Sequence, residues 1–413
     1  TSLSATALAN QFVNIYQICC MGIAMGASVL TSRFWGMQDI TSLKKTITLM
    51  LRLCIVLAVL FMLPTILIPQ LLMRMYTNDS AVIAQGVQYF KWMVYCYFLQ
   101  GMTMTCTIVL RSVGQVNFPL FTSIGSFFVN ILFNYMFIFG KLGVPRMEVE
   151  GAGVGTLIAR VFEFSLICGY FLFVDRKIGY RLKDLRMKCN SLIKDYVSIS
   201  IPVFVSDSLL ALGTSAVAMV MGRIGTGFVS ANSITVVTQQ LTTVVIQGIC
   251  HAGCIMTGHT LGHGEREKAQ QQAWTFLILG LVVGILGGGL IKVLSRPIIG
   301  LYNITPETAQ IAGELMDAIA FIVIFQSMNS ILTKGVLRGG GDTKFLMVAD
   351  IIFLWAASLP LGILAGLVWH LDAFWIYVFL KIDQICKSIW CVFRLRSGKW
   401  IKTFSKEKMN HAQ

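Results

Sequence analysis

Two aspartates stand inside stretches that otherwise hold almost only apolar residues. Asp207 lies in a run at 196–222, five residues after Pro202, and Asp350 lies in a run at 344–369, ten residues before Pro360. Charge inside a bilayer is expensive, so an ionisable residue there is a functional candidate by default. A proline frees a backbone carbonyl and lets a helix bend. A carboxylate near such a bend can bind Na⁺ through its oxygens, or take a proton once desolvation raises its affinity for one. Asp207 and Asp350 are therefore the expected cation-coupling residues, and Na⁺ at these two is the only metal expected. Neither has an opposite charge within one helical turn. The alternative is a structural role, which for Asp350 means snorkelling to the interface.

Polar side chains at helical spacing mark a second kind of chemistry. Asn10, Asn14 and Gln17 fall on one face with Gln11 beside them, and Gln240, Thr243 and Gln247 make a similar face at 229–258. Amides facing lipid would be costly. These faces are expected either to line a substrate cavity between two halves of the protein or to bond helix to helix. Asn130 and Asn134, one turn apart, are expected to line the first half. Arg160 and Glu163 sit three apart, a spacing that permits a helix-face ion pair, structural or gating. Arg52, Lys91, Lys334, Lys381 and Lys387 read as structural groups near span ends or as snorkelling ones. Cys250-His251-x-x-Cys254 lacks a fourth ligand and reads as small residues near a helix end. Arg338-Gly-Gly-Gly-Asp-Thr-Lys344 joins two apolar runs and reads as a tight turn, not a phosphate cradle. No cofactor and no enzymatic reaction are expected.

The elements that must position these residues are membrane helices. Apolar residues make up 56% of the 413, charged residues 13%, and mean hydropathy is +0.73. A soluble domain carries about 25% charged residues. Eleven spans are expected: 8–34, 46–72, 81–110, 117–140, 151–174, 196–222, 229–258, 270–294, 308–336, 344–369 and 373–395. The long runs exclude membrane strands, which alternate over about ten residues. Eleven cysteines scattered through apolar segments are no disulfide framework.

The chain also repeats itself. Leu110-Arg-Ser-Val-Gly114 returns as Leu337-Arg-Gly-Gly-Gly341, and Gly26-Ala-Ser-Val-Leu-Thr31 through Gly36 returns as Ala252-Gly-Cys-Ile-Met-Thr257 through Gly262, about 226 residues on. Two similar halves around a central site are a transporter architecture. The counterpart of the 196–222 span falls before residue 1, which predicts one further helix there and two six-helix lobes as parallel repeats. Asp350 has Ser123 as its counterpart, so the halves are not chemically equivalent. The expected division is a lobe at 1–175, a basic linker at 176–194 that is partly an interfacial helix, a lobe at 195–395 and a basic tail at 396–413.

Alternate loops hold 21 and six Lys or Arg, which puts the basic set and the C-terminus in the cytoplasm. This bias explains the net charge of +14 without nucleic acid, and the linker and tail can touch anionic headgroups. With no Gly-x-x-x-x-Gly-Lys-Ser/Thr loop, direct drive by ATP is not expected.

The residues Gly26 to Gly36, Leu110 to Gly114, Asn130-Ile-Leu-Phe-Asn134, Ile138-Phe-Gly140, Leu337 to Lys344 and Pro360-Leu-Gly362 together resemble the bacterial multidrug and toxic compound extrusion (MATE) family. The resemblance implies twelve helices in two lobes, lacking here the first, with both termini cytoplasmic. It also implies export of organic, often cationic compounds in exchange for Na⁺ or H⁺. Asp207 stands where many relatives carry a glutamate shortly after a proline in the seventh helix. Asp350 stands where relatives often have an acidic residue, and Asn134, which cannot titrate, stands near an aspartate of some relatives.

The function expected is thus a monomeric, cation-coupled antiporter of the bacterial cytoplasmic membrane. It works by alternating access between two lobes, with substrate near the polar faces. The rivals are a flippase for lipid-linked saccharides and a membrane scaffold that transports nothing.

Overall fold

The computed structural model describes residues 2–404, with side chains from Ser4 onward, so Lys406 and Lys408 of the expected basic tail lie outside the described residues. The chain divides into two compact units, one ending at Ser200 and one beginning at Ile201. Among the described residues ten helices are long and apolar enough to cross a membrane. The eleventh expected span, 373–395, is instead two helices, α13 (Ala373–Leu380) and α14 (Ile382–Ser397), interrupted at Lys381.

The first unit contains α1 (Ser2–Gly36), α2 (Ile40–Leu67), α3 (Pro69–Arg74), α4 (Ser80–Ser112), α5 (Asn117–Phe139) and α6 (Val149–Gly169). The start of α7 (Asn190–Ile224) also belongs to it. Its centre is aromatic: Tyr16 of α1 packs edge-on to Tyr97 of α4 at 5.1 Å, and Phe61 of α2 lies 5.2 Å from Tyr16. The outside is equally apolar. Helix α5 buries only Pro119, Thr122 and Ser126, while Phe121, Phe127 and Phe128 are all more than 60% exposed. Small and polar groups inside with phenylalanines outside suit a solvent of hydrocarbon tails.

The second unit contains the rest of α7, then α8 (Thr226–Gly262), α9 (Arg266–Gly300), α10 (Pro306–Ser330), α11 (Thr343–Asp350), α12 (Leu359–Ile363), α13 and α14. Wider π-helical turns at Ile331–Leu337, Ile351–Ser358 and Leu364–Val368 continue α10, α11 and α12. Helix α10 is the hub, packed against α8, α9, α13 and α14. Glycines at one-turn intervals let α9 meet it backbone to backbone. A Cβ on Gly280, Gly284 or Gly288 would stand 3.2 Å from Met328 Cα, 2.7 Å from Ile324 Cα or 2.6 Å from the Ala320 carbonyl. Gly284→Val is therefore expected to lower stability by about 1–3 kcal/mol through overpacking. Thermal unfolding of the purified protein in detergent measures this, and an unchanged midpoint would remove the close contact.

The sequence repeat is a repeat of backbone geometry. Gly114 and Gly341 both take positive φ, +85° and +88°. Each closes the same turn, with Gly114 N–H donating to Arg111 O at 3.0 Å and Gly341 N–H to Arg338 O at 3.0 Å. An L side chain resists that conformation, which is why glycine recurs there. The entries to α2 and α9 match as well: Met37 N–H donates to Arg33 O, and His263 N–H, 226 residues later, to His259 O.

Each unit carries a strap that folds back on its own helices. In the first, a 3₁₀ turn at Leu182–Arg186 lies on α2, where Arg52 donates to the carbonyls of Leu185 (2.7 Å) and Met187 (2.9 Å). Lys44 pairs with Asp184 at 3.6 Å, and Thr48 bonds Tyr180, a fully buried ring. Burial pushes the Tyr180 phenol up to about 12, so it stays protonated at neutral pH. The expected interfacial helix of this linker is thus a short turn held by α2. In the second unit, fully buried Trp400 donates to Gln270 of α9 at 2.8 Å, and Lys402 N–H donates to Gly340 O at 2.9 Å. Gln270 is the position 226 residues after Lys44, so both straps grip the same place in the repeat.

Candidate cation-coupling site

Asp207 and Asp350 both have ionic partners, and the partners come from other helices. Asp207 of α7 accepts from Arg338 Nη2 at 3.2 Å. Arg338 follows the wide turn Ile331–Leu337 and is 5% exposed. Asp350, the last residue of α11, accepts from Lys387 Nζ of α14 at 2.8 Å and from the hydroxyl of Ser206, the residue beside Asp207. Lys387 also reaches Asp383, one turn back on α14, at 3.5 Å. Asp383 in turn exchanges hydrogen bonds with Ser358: its Oδ1 accepts from the hydroxyl at 2.9 Å, and its N–H donates to Oγ at 2.8 Å. Arg338 also interacts electrostatically with Asp350, so the two predicted carboxylates share one network.

The wide turns help to build this network. One ends just before Arg338, and another begins just after Asp350 and ends at Ser358. Such turns change which residues share a helix face and are frequent at functional sites. Lys387, Asp383 and Asp350 are 2%, 2% and 7% exposed. Ionised groups persist at such burial only when paired and hydrogen-bonded, as these are. Lys387 does not snorkel, one of the two readings its sequence position allowed: it is buried between two carboxylates. Arg338, counted above among loop charges, belongs to the same network. Sequence reasoning missed Asp383, although its i,i+4 spacing to Lys387 was there to find.

A second ionic group surrounds Asp342. Asp342, at the turn after Gly341, accepts from Arg394 Nε at 2.7 Å and Nη2 at 3.1 Å, and Lys402 Nζ stands 3.9 Å off. It holds the end of α14 and its strap to the turn before α11.

The other predicted residues fall elsewhere. In the first unit Arg160 and Glu163 form their ion pair at 3.0 Å and line a cavity of about 190 Å³ with Gln100, Thr103, Arg111 and Ser123. Asn134 donates to Asn130 at 2.7 Å within α5 and leaves no room for a Cβ on Gly155 of α6. Asn10 accepts from Tyr89 at 2.9 Å, Asn14 is exposed and Gln17 half-buried. In the second unit Gln240 is exposed, Gln247 half-buried, and Thr243 bonds its own helix at Gln239 O. The inward amide of α8 is the neighbouring Gln239, which donates to Gln326 at 3.3 Å and Tyr377 at 3.4 Å. Among the described residues no group of three or more His, Cys, Asp or Glu is arranged to hold a metal ion.

A membrane-spanning, all-helical fold of two lobes built on a repeated turn, with buried ion pairs in one lobe, defines a class of secondary transporter. The chain belongs to the MatE family, whose profile matches residues 1–136 and 202–385. Over 407 residues it is 24% identical to the probable multidrug resistance protein NorM of Thermotoga maritima, spanning 97% of this chain and 86% of that protein. Identity is also 24%, over 408 residues, to the uncharacterized transporter YisQ of Bacillus subtilis, spanning 97% and 88%. The fold is similar to the outward-facing structure of a multidrug resistance MATE family transporter of the MOP superfamily, with TM-score 0.85 over 96% of this chain and 88% of that one at 18% identity.

Proposed function

We propose that this chain is a multidrug efflux antiporter. It exports organic, cationic compounds across the bacterial cytoplasmic membrane in exchange for a cation, as a monomer with its C-terminus in the cytoplasm. It performs no covalent chemistry of its own. The observation that carries this reading is the buried network of Asp207, Arg338, Asp350, Lys387 and Asp383. Buried ion pairs add little net stability over apolar packing, so this one is read as a switch. A proton or metal ion that changes one carboxylate shifts the balance between two conformations, and substrate favouring the other conformation is thereby coupled to it. The family and the resistance proteins among its relatives supply the substrate class.

The test is efflux of a fluorescent cationic dye from proteoliposomes under pH and Na⁺ gradients imposed separately. Dye leaves faster under at least one gradient. In Asp207→Asn, which leaves Arg338 without its carboxylate, efflux falls to that of empty vesicles. Dye that stays put under both gradients, with folded protein, overturns the reading in favour of a lipid-linked saccharide.

A further inference from the structure

The place where a metal ion would sit beside Asp350 is already taken. Hard cations bind by gathering several oxygens round one point. Here the carboxylates of Asp350 and Asp383 converge on the nitrogen of Lys387, at 2.8 and 3.5 Å. Their remaining oxygens are engaged as well, Asp350 Oδ2 by the hydroxyl of Ser206 and Asp383 Oδ1 by that of Ser358. An ammonium and an alkali-metal ion carry the same charge, and their repulsion at such distances is barely screened away from water.

The charges around this seat leave no vacancy for another cation. Asp350 faces Lys387 from α11, and Asp383 faces it from α14 itself. Lys381, at the break before α14, interacts electrostatically with Asp383 and Lys387. Arg338 acts on Asp350 while paired with Asp207 of α7, and the uncharged titratable side chains nearby include the thiol of Cys391, one turn beyond Lys387, and Tyr377 and Cys386 beside Asp383. Three carboxylates thus stand against three resident cations.

Building on the antiporter reading, we propose that Lys387 selects the coupling ion: its ammonium fills the seat Na⁺ would need, so the second lobe exchanges protons. The two carboxylates divide the work. When a proton adds to Asp350, that residue becomes a neutral acid and releases Lys387, whose ammonium keeps Asp383 as counter-charge. When the proton leaves, the bond of Lys387 to Asp350 re-forms. No metal ion enters the cycle.

The experiment measures binding of radiolabelled Na⁺ to the purified full-length protein, beside dye efflux under separate pH and Na⁺ gradients. The wild type binds no Na⁺ above background, and its efflux follows pH and ignores Na⁺. Lys387→Ala empties the seat and keeps both carboxylates, so it binds Na⁺ saturably and at least about tenfold more tightly than the wild type. Adding Asp350→Asn removes that binding. Lys387→Arg, which keeps the charge, remains indifferent to Na⁺. Saturable Na⁺ binding by the wild type that Asp350→Asn abolishes overturns the proposal, as does a folded Lys387→Ala that binds none. Should Lys387→Ala not fold, the wild-type binding measurement decides alone. If no gradient moves dye, the antiporter reading falls, while Na⁺ binding still reports on Lys387.

Discussion

Asp350→Asn is expected to lower the stability of the purified protein by about 3 kcal/mol, the lower end of what breaking a buried ion pair costs. The lower end applies because Lys387 loses its partner at 2.8 Å but keeps Asp383 at 3.5 Å. Transport should fall to the level of empty vesicles, since the amide neither takes nor releases a proton. Lys387→Met should do more damage to stability, because it strands two carboxylates in the interior. The two changes together should then be no worse than Lys387→Met alone. The amide in place of the Asp350 carboxylate would no longer be a charge needing a partner, and methionine fills the space of the lysine stem. Denaturation midpoints of the four proteins form a double-mutant cycle, and a coupling above about 1 kcal/mol is expected for groups in direct contact. Additive effects would mean that the two side chains do not depend on each other, and the network would lose its place as a switch.

The second large effect belongs to Gly340. A Cβ there would lie 2.8 Å from the carbonyl oxygen of Trp400 and nearer still to its ring. Gly340→Val must therefore expel the tryptophan. With it go the bond of Trp400 to Gln270 and the bond of Lys402 N–H to Gly340 O. Losing a buried tryptophan from its site costs about 3–5 kcal/mol. The strap at residues 398–404 would come off the turn, and trypsin should cut after Lys399 and Lys402 much faster than in the wild type. Trp400→Ala should give the same digestion pattern. Wild-type resistance to cleavage in Gly340→Val would show that the strap is held by other contacts.

The repeat was legible because one backbone turn is needed twice and demands glycine both times, at Gly114 and Gly341. The helices were legible because a bilayer leaves long apolar runs no other conformation. Some began before expectation, since polar caps such as Asp39 and Thr305 start the helix ahead of its apolar part. Partnership was not legible. Asp207 and Asp350 were named on the cost of their charge alone, and Arg338 and Lys387 reach them from segments 131 and 37 residues away. No periodicity encodes such a meeting. The wide turns that follow Ser330 and Asp350 worsen this, because each changes the phase of the helix face beyond it. The amides of α8 show the same sensitivity, with the inward group at Gln239, one residue from the expected face. The straps were hidden by composition: basic residues around Tyr180 and Trp400 pointed to a linker and a tail at the membrane surface, although both rings are fully buried.

The three glycines of α9 bear on how the protein is assembled. Helices already inserted in lipid gain nothing from leaving water, so they associate by packing and hydrogen bonding. Gly280, Gly284 and Gly288 give α9 and α10 a close, self-contained contact that needs no other helix to complete it. The loop between them is short, from Leu301 to Thr305. This hairpin can zip shut once both of its helices are in the bilayer, without waiting for α13 and α14. A ready-made wall is then in place, against which the late-arriving α13 and α14 bring the last charges of the network to their partners.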